Sequence, residues 1–239
     1  VLAKEKKIVE MTNEEIEHYK TKGWVVLKNV IPDDLLQIVK EEGLYLRKNY
    51  EKFSNTQLFF TKHITCASRY AEKLGNCFTA PFIYDIVHKI LGDEAWLYID
   101  QINYKLAQDS FAFPPHYDNS YGGEQLRSGK VHSVNIGWVL DNFTDENGTI
   151  EVLDENKEWV TLYPKEKDLV IMNGECVHRS GENKSDKERG FYCCMFTDEE
   201  IKSAGIFKVI GTDILKEIDY YKGIEFSEPN LTKSLYNLI

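Results

Sequence analysis

The sequence predicts a mainly β fold, an all-β sandwich or barrel buttressed by helices on its N-terminal side. Three observations predict it. Before about residue 92, apolar residues recur mostly at helical spacing. From Trp96 onward the apolar residues gather into short runs of strand length. Turn signals separate those runs: Tyr121-Gly-Gly, Asp145-Glu-Asn-Gly148 and Asn173-Gly174. Helices first and regularly spaced strands after them make a β core with a helical buttress.

Each element follows from local chemistry. Thr12 with Glu15 forms a capping box that opens a helix, and Gly23 closes it. Trp24-Val-Val-Leu27 reads as a short buried strand. Pro32 starts a longer helix with Leu35, Leu36 and Val39 on one face. Ala80 to Leu91 repeats the pattern with Ile83, Ile86, Val87 and Leu91. The expected core strands are Leu97–Leu106, Val131–Leu140, Thr149–Leu153, Trp159–Leu162, Leu169–Met172 and Gly190–Phe196. A last helix is expected at Ile214–Tyr221. The expected organisation is one domain over residues 1–239: a helical part at about 12–92, a β core at about 95–197 and a tail at about 198–239.

Composition narrows the function classes. Net charge is −10, so a cationic stripe for nucleic acid is not expected. No apolar run reaches bilayer length, and the opening VLAKEKKIVEM is too charged for a signal peptide. Five cysteines, an odd number without a CxxC pair, fit no disulfide framework and point to a reducing cytoplasm. Global charge does not exclude a locally cationic pocket, so anionic small-molecule substrates stay open. Oligomeric state leaves no trace in these patterns.

Of six histidines, only His116 lies in a compact ligand pattern, His116-Tyr117-Asp118. In extended chain, side chains two apart point the same way, so both can reach one ion. His178, after the apolar run Leu169–Met172 and the Asn173-Gly174 turn, can supply a third ligand. Two imidazoles and one carboxylate make the facial triad of non-haem iron(II) oxygenases. Arg189 opens the last core strand, and a guanidinium grips a carboxylate through two parallel hydrogen bonds. Ser180 shares parity with His178 and can assist. An HxD triplet alone arises often by chance; the later residues give it weight.

These residues resemble the phytanoyl-CoA dioxygenase family. The likeness rests on His116-Tyr-Asp118, Asp145-Glu-Asn-Gly148, Asp168-Leu-Val-Ile-Met, His178-Arg-Ser-Gly-Glu-Asn183 and Arg189, with Gly23-Trp-Val-Val-Leu-Lys-Asn-Val-Ile-Pro32 at the start. It implies a double-stranded β-helix (jelly-roll, cupin-like) core. It implies iron(II) on His116, Asp118 and His178, with 2-oxoglutarate held by Arg189 and Ser180. Trp138, and Asn103 or Lys105 on the strand before the triplet, stand where relatives contact the co-substrate. The implied reaction consumes oxygen, releases succinate and carbon dioxide, and hydroxylates an unactivated C–H bond; ascorbate serves as a reductant in vitro. Asp118 disfavours halogenation, because related halogenases lack that carboxylate. Phe113, Tyr117, Asn119, Tyr121 and Cys193 are the candidate substrate contacts. Where many relatives carry Pro-Gly-Ser-His, this chain reads Ile150 to Lys157, so substrate identity does not carry over. The alternative is a cupin-like metal-dependent isomerase or binding protein without 2-oxoglutarate turnover, which would not need Arg189 or Ser180.

Overall fold

The computed structural model describes residues 10–53, 61–121, 124–201 and 207–208. Helix α1 (Asn13–Lys22) opens on the capping box: Glu15 N–H donates to Thr12 Oγ1 at 3.2 Å, and Thr12 N–H to Glu15 Oε2 at 2.8 Å. Gly23 ends it at φ 78°, a left-handed cap that suits glycine. Strand β1 (Trp24–Leu27) follows, then α2 (Asp33–Lys48), α3 (Tyr50–Phe53) and β2 (Thr61–Thr65). Two short 3-10 turns, α4 (Gly75–Phe78) and α5 (Pro81–Leu91) lead into β3 (Trp96–Lys105). Next come β4 (Phe113–His116), a 3-10 turn at Asp118–Tyr121 and α6 (Glu124–Arg127). The chain closes with β5 (Ser133–Val139), β6 (Ile150–Leu153), β7 (Trp159–Leu162), β8 (Leu169–Asn173), β9 (His178–Ser180), β10 (Arg189–Thr197) and β11 (Phe207–Lys208).

The strands form two antiparallel sheets. The larger runs β1-β8-β5-β10-β3-β11, with β2 also on β3; the smaller runs β4-β9-β6-β7. Alternation along each large-sheet strand sorts side chains to two sides. Val134, Ile136 and Trp138 of β5, with Tyr192, Cys194 and Phe196 of β10, pack against Ile83, Ile86 and Val87 of α5. Val139, Phe191, Cys193 and Met172 face the smaller sheet instead. The helices therefore seal one face of the large sheet, and the other face lines the space between sheets.

Two expectations change. The strand expected at Trp24–Leu27 forms and pairs with β8, but β2, which was not expected, also arises before residue 92 and pairs with β3, so both belong to the large sheet. The segment before His116, which is not among the expected core strands, contributes β4. The expected helix Ile214–Tyr221 lies outside the described residues. Among the described residues, no helix is long and apolar enough to cross a membrane.

Candidate active site

The site begins with the pairing of β4 and β9, which sets His116 directly opposite His178 and Phe113 opposite Ser180. The two imidazole centroids are 4.3 Å apart. Asp118 does not continue the strand. It opens the 3-10 turn after β4, so the triplet converges by a turn rather than by strand alternation. Its Oδ1 still lies 3.8 Å from His178 Nε2. One ligand atom from each of His116, Asp118 and His178 lies within 4.8 Å of the others, a set that could hold a metal ion.

Hydrogen bonding fixes the rings for that task. His116 Nδ1 is 2.7 Å from Pro114 O, and His178 Nδ1 is 2.9 Å from Cys176 O. A carbonyl oxygen only accepts, so Nδ1 carries the proton in both rings. In the neutral imidazoles Nε2 is then the lone-pair nitrogen that a metal needs. Burial, then the neighbouring His178, pushes His116 down to about 4, so it is neutral at neutral pH. Two imidazoles and one carboxylate are the facial donor set of non-haem iron(II) oxygenases, and the thiolates of an iron–sulfur cluster are not among these three ligands. The donor set thus fits the metal.

From these ligands a cavity runs between the sheets towards Arg189. Ile99, Gln101, Asn103 and Lys105 of β3 all face it, at alternate positions. The sequence left Asn103 and Lys105 as alternatives; the strand presents both. Lys105 is 2% exposed, and Nζ donates to Phe111 O at 3.1 Å and to Gly181 O. Arg189 is 4% exposed and donates to Asn147 O at 3.1 Å and Gly148 O at 3.0 Å, with its guanidinium 4.0 Å over the Phe143 ring. Both side chains donate to main-chain carbonyls. Burial, then Arg189, pushes Lys105 down to about 7, against the milder pull of Asp109 and Glu182. Burial likewise pushes Arg189 down to about 10, opposed by Asp141. Two buried basic side chains thus lie side by side in one cavity.

Other expected residues divide. Ser180, Phe113 and Cys193 line the cavity. Trp138 does not: it is fully buried on the helix side, 5.8 Å from Phe82 and 6.3 Å from Tyr192 between ring centroids. Strand parity sends Asn135 and Val139 to the cavity side and Trp138 away from it. Between them, Gly137 leaves room for the Phe191 ring, which a Cβ there would overlap. Tyr117 is 39% exposed and off the cavity wall. Asn119 is buried and structural: Ser133 Oγ donates to its Oδ1 at 2.5 Å, and its N–H donates to Gly174 O at 2.9 Å. The side chain of Tyr121 lies outside the described ones.

Sequence reasoning missed Asn135, Gln101 and His63. Asn135 Nδ2 donates to Asp118 Oδ2 at 2.8 Å. His63 Nε2 is 2.9 Å from Gln101 Oε1, and both line the cavity. A lone polar residue inside the apolar run Val134–Val139 was the readable signal for Asn135. The alternation Gln101, Asn103, Lys105 was the signal for Gln101.

Comparison with known proteins adds chemistry. No family model matches the chain. L-proline trans-4-hydroxylase of Streptomyces griseoviridis is 24% identical over 137 residues, covering 56% of this chain and 51% of the hydroxylase, about half its length. 2-Aminoethylphosphonate dioxygenase of uncultured bacterium HF130_AEPn_1 is 23% identical over 260 aligned positions, covering 95% of this chain and 97% of that enzyme. Among solved structures, the non-haem α-ketoglutarate-dependent epimerase SnoN of nogalamycin biosynthesis superposes with a TM-score of 0.69 at 15% identity, over 77% of this chain and 80% of SnoN. EctD from S. alaskensis gives 0.69 at 15% identity, over 84% of this chain and 81% of EctD. SnoN has been solved with Fe3+ and α-ketoglutarate, and EctD with 2-oxoglutarate. The shared fold is the double-stranded β-helix. In sequence the chain is similar to a proline hydroxylase and a dioxygenase, and in fold to solved α-ketoglutarate-dependent non-haem enzymes.

Proposed function

We propose that this chain is an iron(II)- and 2-oxoglutarate-dependent dioxygenase of the phytanoyl-CoA dioxygenase type that hydroxylates a small molecule. His116, Asp118 and His178 hold the metal. Iron bound there supplies the oxidation: it couples decarboxylation of 2-oxoglutarate to succinate with insertion of oxygen into a C–H bond. Every other contribution comes from placement by the protein.

The observation that carries this reading is the pair of buried cations, Lys105 and Arg189, in one cavity with the metal ligands. Burying two positive charges is costly unless an anion completes them. The distal carboxylate of 2-oxoglutarate is that anion. Arg189 provides the guanidinium, already aimed by the Asn147 and Gly148 carbonyls; Lys105 adds a second charge, and Ser180 and Asn103 offer hydrogen bonds. Phe113, with its ring 5.3 Å from Lys105 Nζ, covers that end and helps exclude water. A binding protein without 2-oxoglutarate would have no use for this arrangement.

The substrate then approaches the open side of the metal ligands. His63, Gln101 and Cys193 offer it a mixed polar and soft surface. Five free cysteines support a reducing, cytoplasmic setting. The test is succinate release by purified protein with iron(II), ascorbate and 2-oxoglutarate, screened against a metabolite library with mass detection of a product heavier by one oxygen atom. Absence of 2-oxoglutarate binding to the metal-loaded protein would remove the proposal.

A further inference from the structure

Asn135 sits in β5 among apolar neighbours: Val134, Ile136 and Val139 along the strand, and Met172 and Met195 as its cross-strand partners. It is 4% exposed and lines the cavity. Its orientation is not ambiguous. The group facing Asp118 Oδ2 at 2.8 Å has to be the amide nitrogen, because an ionised carboxylate only accepts. The carbonyl end, Oδ1, is then buried with no hydrogen-bond partner among the described residues.

An orphaned buried carbonyl is costly, and leucine, of similar volume, would avoid that cost. What the amide provides against that cost is its nitrogen. It occupies Oδ2 of Asp118, while Oδ1 is the oxygen turned to His178 Nε2 at 3.8 Å. A carboxylate with one oxygen engaged sideways offers only the other to an ion.

We infer that Asn135 is a positioning residue that restricts Asp118 to one-oxygen ligation. The inference rests on the dioxygenase reading. Three protein atoms then leave three metal positions for a chelating 2-oxo acid and oxygen. A carboxylate gripping with both oxygens would take one of those positions from the 2-oxo acid.

Cobalt(II) serves as an air-stable probe whose visible spectrum reports its ligands. The wild-type protein is titrated first with Co(II), then with 2-oxoglutarate; if it binds neither, the dioxygenase reading fails and this inference with it. If it binds both, Asn135→Leu and Asn135→Ser are compared, with thermal melting to verify folding. Serine is small enough to be accommodated should leucine disturb the packing. The expected result is retained Co(II) binding, an altered Co(II) visible band, and 2-oxoglutarate affinity at least about tenfold weaker. Asn135→Gln, which keeps an amide donor, should recover part of both. A folded Asn135→Ser protein with the wild-type band and wild-type 2-oxoglutarate affinity would overturn the inference. So would an Asn135→Gln protein no better than Asn135→Leu, since packing rather than the amide would then be what matters.

Discussion

Arg189 and Lys105 are register partners on adjacent antiparallel strands, and both bury a cationic end in the cavity that holds His116, Asp118 and His178. Like charges directly opposite on one sheet face destabilise a sheet. On the proposed function, an anion received by both accounts for their juxtaposition.

Arg189→Ala should weaken 2-oxoglutarate binding to the metal-loaded protein by about 2–5 kcal/mol, at least roughly thirtyfold. Calorimetry with Mn(II) in place of iron measures it. Arg189→Lys should recover little, because a lysine cannot make the two parallel bonds of a guanidinium. Unchanged affinity in the alanine variant would contradict the assignment of the anion site.

Lys105 gives a pH signature. In the empty protein its amine is held down to about 7 from an ordinary 10.5. Between those values the folded chain has released a proton that the unfolded chain keeps, so this group makes the empty protein more stable as pH rises. A bound carboxylate favours the charged form, so 2-oxoglutarate binding should take up a proton above pH 7. Affinity should fall as pH rises from about 7 towards 9, with the proton uptake visible as a buffer-dependent binding enthalpy. Lys105→Met should abolish the uptake; its persistence would assign the titration elsewhere.

Metal should stabilise the fold, since a ligand bound only by the native state adds RT ln(1 + [L]/Kd), about 2.7 kcal/mol at a hundredfold excess over Kd. A melting scan with and without Mn(II), followed by a chelator, reads this directly. The rise should vanish in Asp118→Ala and in His178→Ala. A full rise in either variant would place the metal at other ligands.

Trp138→Phe should cost stability and leave the co-substrate untouched. The indole Nε1 is buried without a hydrogen-bond partner, so phenylalanine loses packing alone, on the order of 1–3 kcal/mol. Denaturant unfolding and 2-oxoglutarate affinity, measured on one sample, separate the two effects. A large loss of affinity with little loss of stability would return Trp138 to the site.

Gly148→Ala tests the turn that aims Arg189. Gly148 holds φ 76°, and a Cβ there would run into the Gly181 carbonyl. The left-handed conformation alone costs alanine about 1–2 kcal/mol. Because the Gly148 carbonyl accepts from Arg189, the variant should also raise the KM for 2-oxoglutarate; an effect confined to stability would show that the guanidinium aims itself.

Much of this was legible in the chain. The Thr12–Glu15 box, the apolar stripe of Pro81–Leu91 and the strand from Arg189 are local patterns, and the structure places all three where their chemistry puts them. His116, Asp118 and His178 were legible as candidates because metal ligation permits few residue types, and the structure brings the three together as a set that could hold an ion. Lys105 and Asn103 were ambiguous because a strand's register is not local. Trp138 misled for the same reason: one residue along a strand reverses the face.

Local sequence determined the element types, the turns at Gly148 and Gly174, and which side chains could ligate a metal or carry positive charge, since these depend on backbone preference and ligand chemistry alone. Tertiary structure decided which faces meet. It drew β1 and β2 into the large sheet, set His116 against His178, paired Lys105 with Arg189, and turned Asn135 to Asp118. Those outcomes come from strand pairing between segments distant along the chain, where a shift of one residue exchanges inside for outside.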